Sequence, residues 1–303
     1  MSLRHFRTLD DLSSEELTTI LDGADALKAA RGKMTFPRPL EGKTVAIVLE
    51  KASTRTRLSF EVGIHELGAM PTTLIAKDTQ MGRGEPLEDT ARMLSGYVHG
   101  VVYRTFGHEK VETLCEYASV PIINGLSDDY HPCQLLADMQ TVREAKGRLE
   151  GLTVAWIGDG NNMAHSWMLA SAKAGFSLRI ASPEGYQVKP SIVEAAKRMG
   201  AQLTFTEDPK EAAAGADVIT TDVWASMGQE EEQKAREAAF AGFQVDGALM
   251  ARAADDAIFL HCLPAHRGEE VSAEVMDSEA SWVWAEAENR LHAQKALLVH
   301  LLG

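Results

Sequence analysis

Short apolar runs rich in β-branched residues alternate along this chain with segments whose apolar residues recur at helical spacing. In the first half, the continuous runs predict strands at 45–49, 72–76, 100–105 and 120–125. The helical spacing between them predicts helices at 56–68, 88–97 and 109–118. Nearly continuous apolar strands that alternate with helices are typical of parallel sheets covered on both faces.

The second half of the chain repeats this alternation. Its predicted strands are 152–159, 177–182, 202–207, 217–223 and 257–264, and its predicted helices are 162–175 and 189–200. One long helix is predicted over 134–151, where glycines interrupt the pattern, and we place a domain boundary there. The apolar stripe of the last segment, 288–303, predicts a helix that packs back on the first domain.

The fold prediction is therefore an α/β protein of two domains, each a mostly parallel sheet flanked by helices. Residues 1–147 with the C-terminal helix 286–303 form the first domain, and residues 148–285 form the second. A length of 303 residues fits two domains.

Composition excludes several classes of protein. The formal charge is −14 and the pI is near 5.2, which argues against a nucleic-acid partner. No apolar run approaches the ~20 residues of a membrane span, and the first residues lack the apolar core of a secretory signal. Three widely spaced cysteines fit a reducing compartment, so we expect a cytoplasmic protein.

The stretch EKASTRTRLSFE, residues 50–61, begins a predicted helix with cations. A helix N-terminus carries about +0.5 charge, so Ser53 and Thr54 suit it as caps and Arg55 does not. An anion bound at this helix end removes the conflict, whereas a solvated surface turn also accommodates arginine. Arg57 has a structural alternative, an ion pair with Glu61 four residues on. The phosphate-loop pattern of nucleoside triphosphatases is absent from the stretch.

Six stretches together resemble the aspartate and ornithine carbamoyltransferases. They are STRTR followed by SFE, then HPCQLLAD (131–138), GDGNNMAHS (158–166), DVWASMG (222–228), HCLPAHRG (261–268) and AENRLHAQKA (287–296). The loop DTQMGRGE carries Gln80 where the aspartate branch normally has lysine, and the SMG and HCLP stretches are similar to the ornithine branch. The likeness covers nearly the whole chain.

The resemblance implies transfer of a carbamoyl group from carbamoyl phosphate to the side-chain amine of L-ornithine, giving L-citrulline and phosphate for arginine biosynthesis. It implies no metal, no organic cofactor, and a homotrimer or a multiple of trimers. Two alternatives stay open: a carbamoyltransferase for a related amine such as putrescine or a modified ornithine, and a non-catalytic module that binds phosphate or an amino acid.

The resemblance also assigns site residues. Those implied to bind carbamoyl phosphate are Ser53, Thr54, Arg55, Thr56, Gln80, Arg104, His131, Gln134, Cys262, Leu263 and Arg290. Among these, Arg104, His131 and Cys262 are expected to be catalytic, the first two as donors to the carbamoyl oxygen. The residues implied to bind ornithine are Asn162, Asp222, Ser226 and Met227.

Other interpretations of these motifs weaken on inspection. The G-x-G of GDGNNM is typical of dinucleotide binding, but the third glycine position holds Met163. His261, His266, Glu269 and Glu270 offer metal ligands in a spacing that fits no standard zinc pattern. Cys262 could contact the ornithine amine as a thiol or accept its proton as a thiolate, and the sequence leaves both open.

Overall fold

The structure, a computed structural model, describes residues 3–33, 37–225 and 232–303. It divides into two compact units, Met1–Gln140 with Glu288–Gly303, and Thr141–Ala287. Each unit contains one parallel sheet flanked by helices, so the predicted fold class is confirmed. In the part of the chain that is described, none of the helices combines the length and the apolar character that crossing a membrane requires.

The sheet of the first unit has four parallel strands in the order β2-β1-β3-β4. The strands are β1 (Thr44–Leu49), β2 (Met70–Ile75), β3 (Gly100–Arg104) and β4 (Ile122–Leu126). The helices are α1 (Ser14–Ala30), α2 (Thr54–Glu66), α3 (Leu87–Tyr97), α4 (Glu109–Tyr117) and α5 (Pro132–Lys146). β1, β3 and most of β4 are buried, as their continuous apolar runs require, whereas the edge strand β2 is half-exposed.

The sheet of the second unit has five parallel strands in the order β7-β6-β5-β8-β9. They are β5 (Thr153–Ile157), β6 (Ser177–Ala181), β7 (Gln202–Thr206), β8 (Val218–Thr221) and β9 (Ile258–His261). The helices are α6 (Asn162–Ala174), α7 (Pro190–Arg198), α8 (Pro209–Ala213), α9 (Gln233–Ala239), α10 (Gly247–Met250) and α11 (Ala273–Met276). The last helix, α12 (Val283–Leu302), begins in this unit.

Most of α12 belongs to the first unit, where it packs as the apolar stripe predicted. The side chain of Lys295 is fully buried there, and its Nζ lies 2.7 Å from Oε2 of Glu66 at the end of α2. Gly63, one turn earlier on α2, leaves room for this contact, because a Cβ at that position would come within 3.1 Å of Lys295 Cγ.

The element boundaries correct three details of the sequence analysis. β2 begins at Met70, two residues before the predicted start, and α5 ends at Lys146 rather than continuing to 151, because Gly147 adopts φ 73°. Helix α1 and the short helices α8 to α11 were not predicted. The sequence signal of α1 is a capping box, in which Ser13 accepts from the Glu16 N–H while Glu16 accepts from the Ser13 N–H.

Gly160, the second glycine of the G-x-G stretch, serves close backbone packing. Its N–H donates to the Tyr186 carbonyl at 2.8 Å. A Cβ at this position would lie 2.3 Å from the backbone of Gln187 and Val188, which is closer than real Cβ contacts. The glycine is therefore explained by the approach of the segment after β6, without a dinucleotide.

We expect Gly160→Ala to destabilise the protein by about 1–3 kcal/mol, since backbone must move to admit the methyl group. Thermal unfolding followed by circular dichroism measures this. Gly96→Ala is the matched control. Gly96 lies within α3, and a Cβ at this position would meet open space, so alanine there should be neutral or stabilising. An unchanged melting temperature in Gly160→Ala would contradict the packing account.

Candidate active site

Most of the candidate residues follow carboxyl ends of strands, where parallel sheets bind their ligands. In the first unit, Ser53 comes shortly after β1 and caps α2, with its hydroxyl accepting the Thr56 N–H at 3.1 Å. Arg104 ends the neighbouring strand β3 and is buried, and its Nη1 donates to Thr56 Oγ1 at 3.3 Å. The start of α2 and the end of β3 therefore meet, because β1 and β3 pair directly.

The two arginines of the first turn of α2 differ. Arg57 lies 2.9 Å from Oε1 of Glu61, so the structural interpretation of Arg57 is confirmed. Arg55 is exposed on the same turn, which contains no acidic residue. A cation at this position has the unfavourable interaction with the helix dipole that the sequence analysis identified.

Two further candidates lie at the start of α5. His131 directly precedes the helix, and Gln134 is in its first turn. The Gln134 amide bridges two charged groups: Oε1 accepts from Arg290 Nη1 at 2.5 Å, and Nε2 donates to Asp138 at 2.8 Å. Arg290 comes from α12, so the C-terminal helix contributes directly to this group of residues.

The pKa of the His131 imidazole is affected by the arginines of the first unit. Burial lowers the pKa of His131 well below its usual value, and the positive charges of Arg290, Arg104 and Arg55 lower it further. Three guanidinium groups thus act electrostatically on one neutral imidazole. Such an arrangement can bind an anion and present an uncharged N–H donor beside it.

Gln80 is separate from this group in the structure. It is exposed in the loop after the edge strand β2, and its carbonyl accepts from Arg83 and Glu85 N–H within that loop. The described contacts of Gln80 therefore do not bring it to the other candidate residues of the first unit.

In the second unit, Asp222 follows β8 and Cys262 follows the neighbouring strand β9. The Cys262 thiol donates to Asp222 Oδ1 at 3.2 Å. The same carboxylate accepts from the Val223 N–H and from Asn161 Nδ2, each at 2.8 Å. A buried carboxylate with three donors is held in one orientation.

Asn161 is a residue that the sequence analysis missed. Its Oδ1 accepts from the N–H groups of Met163 and Ala164 and so caps α6, while Nδ2 reaches Asp222. An asparagine before a predicted helix signals the cap but not the partner across the sheet. Asn162, the predicted ornithine ligand, is the first residue of α6 beside it, and the predicted Ser226 and Met227 lie outside the described residues.

A buried ion pair lies beside this carboxylate. Arg236 Nη1 donates to Asp159 Oδ2 at 2.9 Å and to the Trp224 carbonyl at 2.8 Å. Burial raises the pKa of Asp159 to about 6, with Arg236 opposing that shift. Asp159 lies two residues before Asn161, and Trp224 lies two residues after Asp222. Arg236 therefore joins the segments after β5 and β8 that carry Asn161 and Asp222.

The loop after β9 is held in place by the imidazole of His261. His261 Nδ1 accepts the Leu263 N–H at 2.9 Å, so Nε2 carries the proton and donates to Glu270 at 3.0 Å. Glu270 also accepts the His266 N–H at 2.6 Å. Both ring nitrogens of His261 are thus occupied by protein groups, which argues against its role in the considered metal site.

Between β1 and α2, Glu50 and Lys51 each make side-chain contacts that the sequence analysis did not predict. The Glu50 carboxylate accepts from the Tyr103 and Thr105 hydroxyls at 2.6 and 2.7 Å, and from Lys110 Nζ at 2.8 Å. Lys51 is buried, binds Asp128, and lies 4.4 Å above the Phe106 ring. These contacts hold the segment that directly precedes Ser53–Thr56.

Models of two domains of one protein family match this chain. The carbamoyl-P binding domain of the aspartate/ornithine carbamoyltransferase family matches residues 4–144, and the Asp/Orn binding domain of that family matches residues 150–301. The chain is 56% identical over 303 residues to the ornithine carbamoyltransferase of Hydrogenovibrio crunogenus, covering 100% of this chain and 99% of that protein.

Solved structures agree. The chain resembles the ornithine carbamoyltransferase of Pyrococcus furiosus with a TM-score of 0.95 and 48% identity, over 99% of this chain and 97% of that one. The anabolic ornithine carbamoyltransferase of Campylobacter jejuni is similar with a TM-score of 0.92 and 41% identity, over 99% of each chain. The chain therefore belongs to the aspartate/ornithine carbamoyltransferase family.

Proposed function

We propose that this chain transfers the carbamoyl group of carbamoyl phosphate to the side-chain amine of L-ornithine, giving L-citrulline and phosphate. The observation that carries the proposal is the group of polar contacts at the starts of α2 and α5, where Arg104 donates to Thr56 and Arg290 donates to Gln134. The charges of both arginines and of Arg55 also lower the pKa of the buried His131. The similarity to ornithine carbamoyltransferases over the whole chain selects the acceptor.

Phosphate binding falls to the start of α2 in this proposal. The helix N-terminus offers N–H groups, and Ser53, Thr54 and Thr56 offer hydroxyls to the phosphate oxygens. Arg55 and Arg104 supply planar guanidinium groups that bind phosphate through two parallel hydrogen bonds. The charge that conflicts with the helix dipole is then compensated by the substrate.

The carbonyl of the substrate needs donors that act as negative charge develops on its oxygen. Arg104 and His131 fill that role, the imidazole as a neutral donor because its pKa is lowered. The remaining residues proposed for carbamoyl phosphate are Gln80, Gln134, Cys262, Leu263 and Arg290.

Ornithine recognition falls to the second unit. The Asp222 carboxylate accepts the α-amino group, and Asn162 with the segment at Ser226 and Met227 binds the α-carboxylate. Putrescine lacks that carboxylate, which is why ornithine is favoured.

The amine must attack in its neutral form. With a pKa of about 10.4, roughly one amine in 2,500 is neutral at pH 7, a handicap of about 4.6 kcal/mol. The Cys262 thiol donates to Asp222, and this contact supports a position for Cys262 next to the proposed amino-acid site. We infer that it contacts the attacking amine, as a polar neighbour or as an acceptor of its proton.

We further infer the organisation of the protein. Residues 1–147 with 286–303 form the carbamoyl-phosphate domain, and 148–285 the ornithine domain. The protein works in the cytoplasm as a homotrimer or a multiple of trimers, built through the first domain, and serves arginine synthesis. Leu58 on α2 and Met70 on the edge strand support an assembly on that side, with more than half of each side chain exposed.

The purified protein should form citrulline from carbamoyl phosphate and ornithine, because its two sets of site residues match the two substrates. The assay compares ornithine with acetylornithine, putrescine and aspartate at equal concentrations. If activity with putrescine or acetylornithine exceeds activity with ornithine, that amine replaces ornithine as the proposed acceptor. If no amine gives a product, the protein is a non-catalytic binding module instead.

Asp222→Asn ties the activity to the proposed site. It removes the charge that holds the α-amino group, so the KM for ornithine should rise by about tenfold or more while the KM for carbamoyl phosphate changes little. Equal rises in the two constants would make Asp222 a structural residue instead.

His131 should stay neutral across the working pH range, because burial and three cations disfavour its imidazolium form. Its folded-state pKa lies below its unfolded value, so the stability it contributes is present above about pH 6.5 and is lost as the pH falls below that value. Nitrogen-15 spectra of labelled histidine measure this, with the signal assigned by its loss in His131→Gln. An imidazolium signal for His131 near pH 6.5 would contradict the account.

Gln80 should complete the site of a neighbouring chain, because its exposed polar loop has no contacts with its own phosphate residues in the described structure. The variants Gln80→Ala and Cys262→Ala, each nearly inactive, are unfolded, mixed and refolded together. Hybrid trimers contain sites with both wild-type residues, so activity should exceed the sum of the parents. Hybrids that form and remain inactive would place Gln80 outside any shared site.

A further inference from the structure

Gln294 lies in α12, one helical turn after Arg290, and is fully buried. Its amide is assigned with the oxygen toward Arg290, since a guanidinium has only donors. In this orientation Oε1 accepts from Arg290 Nη2 at 2.8 Å and Nε at 3.1 Å. Together with Nη1, which donates to Gln134, all three nitrogens of the guanidinium have amide acceptors.

The nitrogen of the same amide reaches α2. It donates to Ser59 Oγ at 2.6 Å and to the Arg290 carbonyl at 3.2 Å. The Ser59 hydroxyl in turn donates to the Arg55 carbonyl at 2.7 Å. Along this series of hydrogen bonds, from Gln294 through Ser59 to Arg55, every donor meets an acceptor, as a buried polar network requires.

Gln294 therefore connects the two helices that carry Arg290 and Arg55. Since its acceptor is an amide oxygen, this contact orients Arg290 without cancelling its positive charge, whereas a carboxylate at the same position would compete with an anion. The requirement matters at a phosphate site, where the cation must be fixed in direction and still be available.

We propose that Gln294 is a positioning residue of the phosphate site: it orients Arg290 and ties that guanidinium, through Ser59, to the first turn of α2. The inference rests on the proposed function, because it assigns Arg290 and Arg55 to carbamoyl phosphate. It adds a residue that touches neither substrate and acts through its neighbours.

The test replaces Gln294 by leucine, which is similar in size and has no hydrogen-bonding groups. The KM for carbamoyl phosphate should rise about tenfold, as expected for the loss of a hydrogen bond to a charged group, while the KM for ornithine stays within about twofold. Calorimetric titration with inorganic phosphate should show a similar loss of affinity.

Gln140→Leu is the matched control. Gln140 is also a fully buried glutamine of the first unit, and its amide donates to Asp25 on α1 at 2.9 Å, which links two helices with no contact to the arginines. Its variant should keep both KM values within about twofold of wild type. If Gln140→Leu changed the KM for carbamoyl phosphate as much as Gln294→Leu does, the inference would be overturned. The effect would then follow from the loss of any buried amide and not from the contact with Arg290.

Ser59 gives a second pair of variants in case Gln294→Leu does not fold. Ser59→Ala breaks the link to Arg55 and should weaken phosphate binding by a smaller factor, and Ser59→Thr keeps the hydroxyl and should restore it. Lower melting temperatures with unchanged KM values in Gln294→Leu and Ser59→Ala would reduce the network to a structural role. Absence of citrulline formation by the wild-type protein would overturn the proposed function instead, and phosphate titration would still test the network.

Discussion

Three arginines of the first unit act electrostatically on one buried imidazole, that of His131, in a chain whose net charge is −14. Arg55, Arg104 and Arg290 come from α2, β3 and α12, so each is brought there by a different element. Like charges repel, and bringing them together has a cost that an anionic ligand relieves. An anion bound at the start of α2 would compensate the charge that conflicts with the helix dipole there.

The structure holds these cations by different means from the cations that serve stability. Arg57 pairs with Glu61 and Lys295 pairs with Glu66, and in both pairs a carboxylate neutralises the charge. Arg104 instead donates to the Thr56 hydroxyl, and Arg290 donates to the amides of Gln134 and Gln294. Neutral acceptors orient a guanidinium and leave its charge for a ligand. The contacts named here for Arg104 and Arg290 are thus with neutral groups, whereas those of Arg57 and Lys295 are with carboxylates.

In the second unit, a buried carboxylate is held in one orientation. Asp222 receives donors from its own chain neighbour, from Asn161 across the sheet, and from Cys262 on the next strand. Beside it, Asp159 and Arg236 form a buried pair that joins the ends of β5 and β8. Three donors and this neighbouring pair together hold the Asp222 carboxylate in one orientation.

The sequence by itself determined the fold class, most of the strands and the motifs at their carboxyl ends. These features are local, because the spacing of apolar residues defines strands and helices, and a helix start with arginines is visible in a few consecutive residues. The ion pair of Arg57 with Glu61 was also predictable, since partners four residues apart lie on one helix face. What only the tertiary structure decided were the partners distant in sequence: Asn161 with Asp222, Arg236 with Asp159, and Gln294 with Ser59. Apolar periodicity tells which face of an element is buried but not which element covers it, and these contacts arise only once strand order and helix packing bring separate segments together.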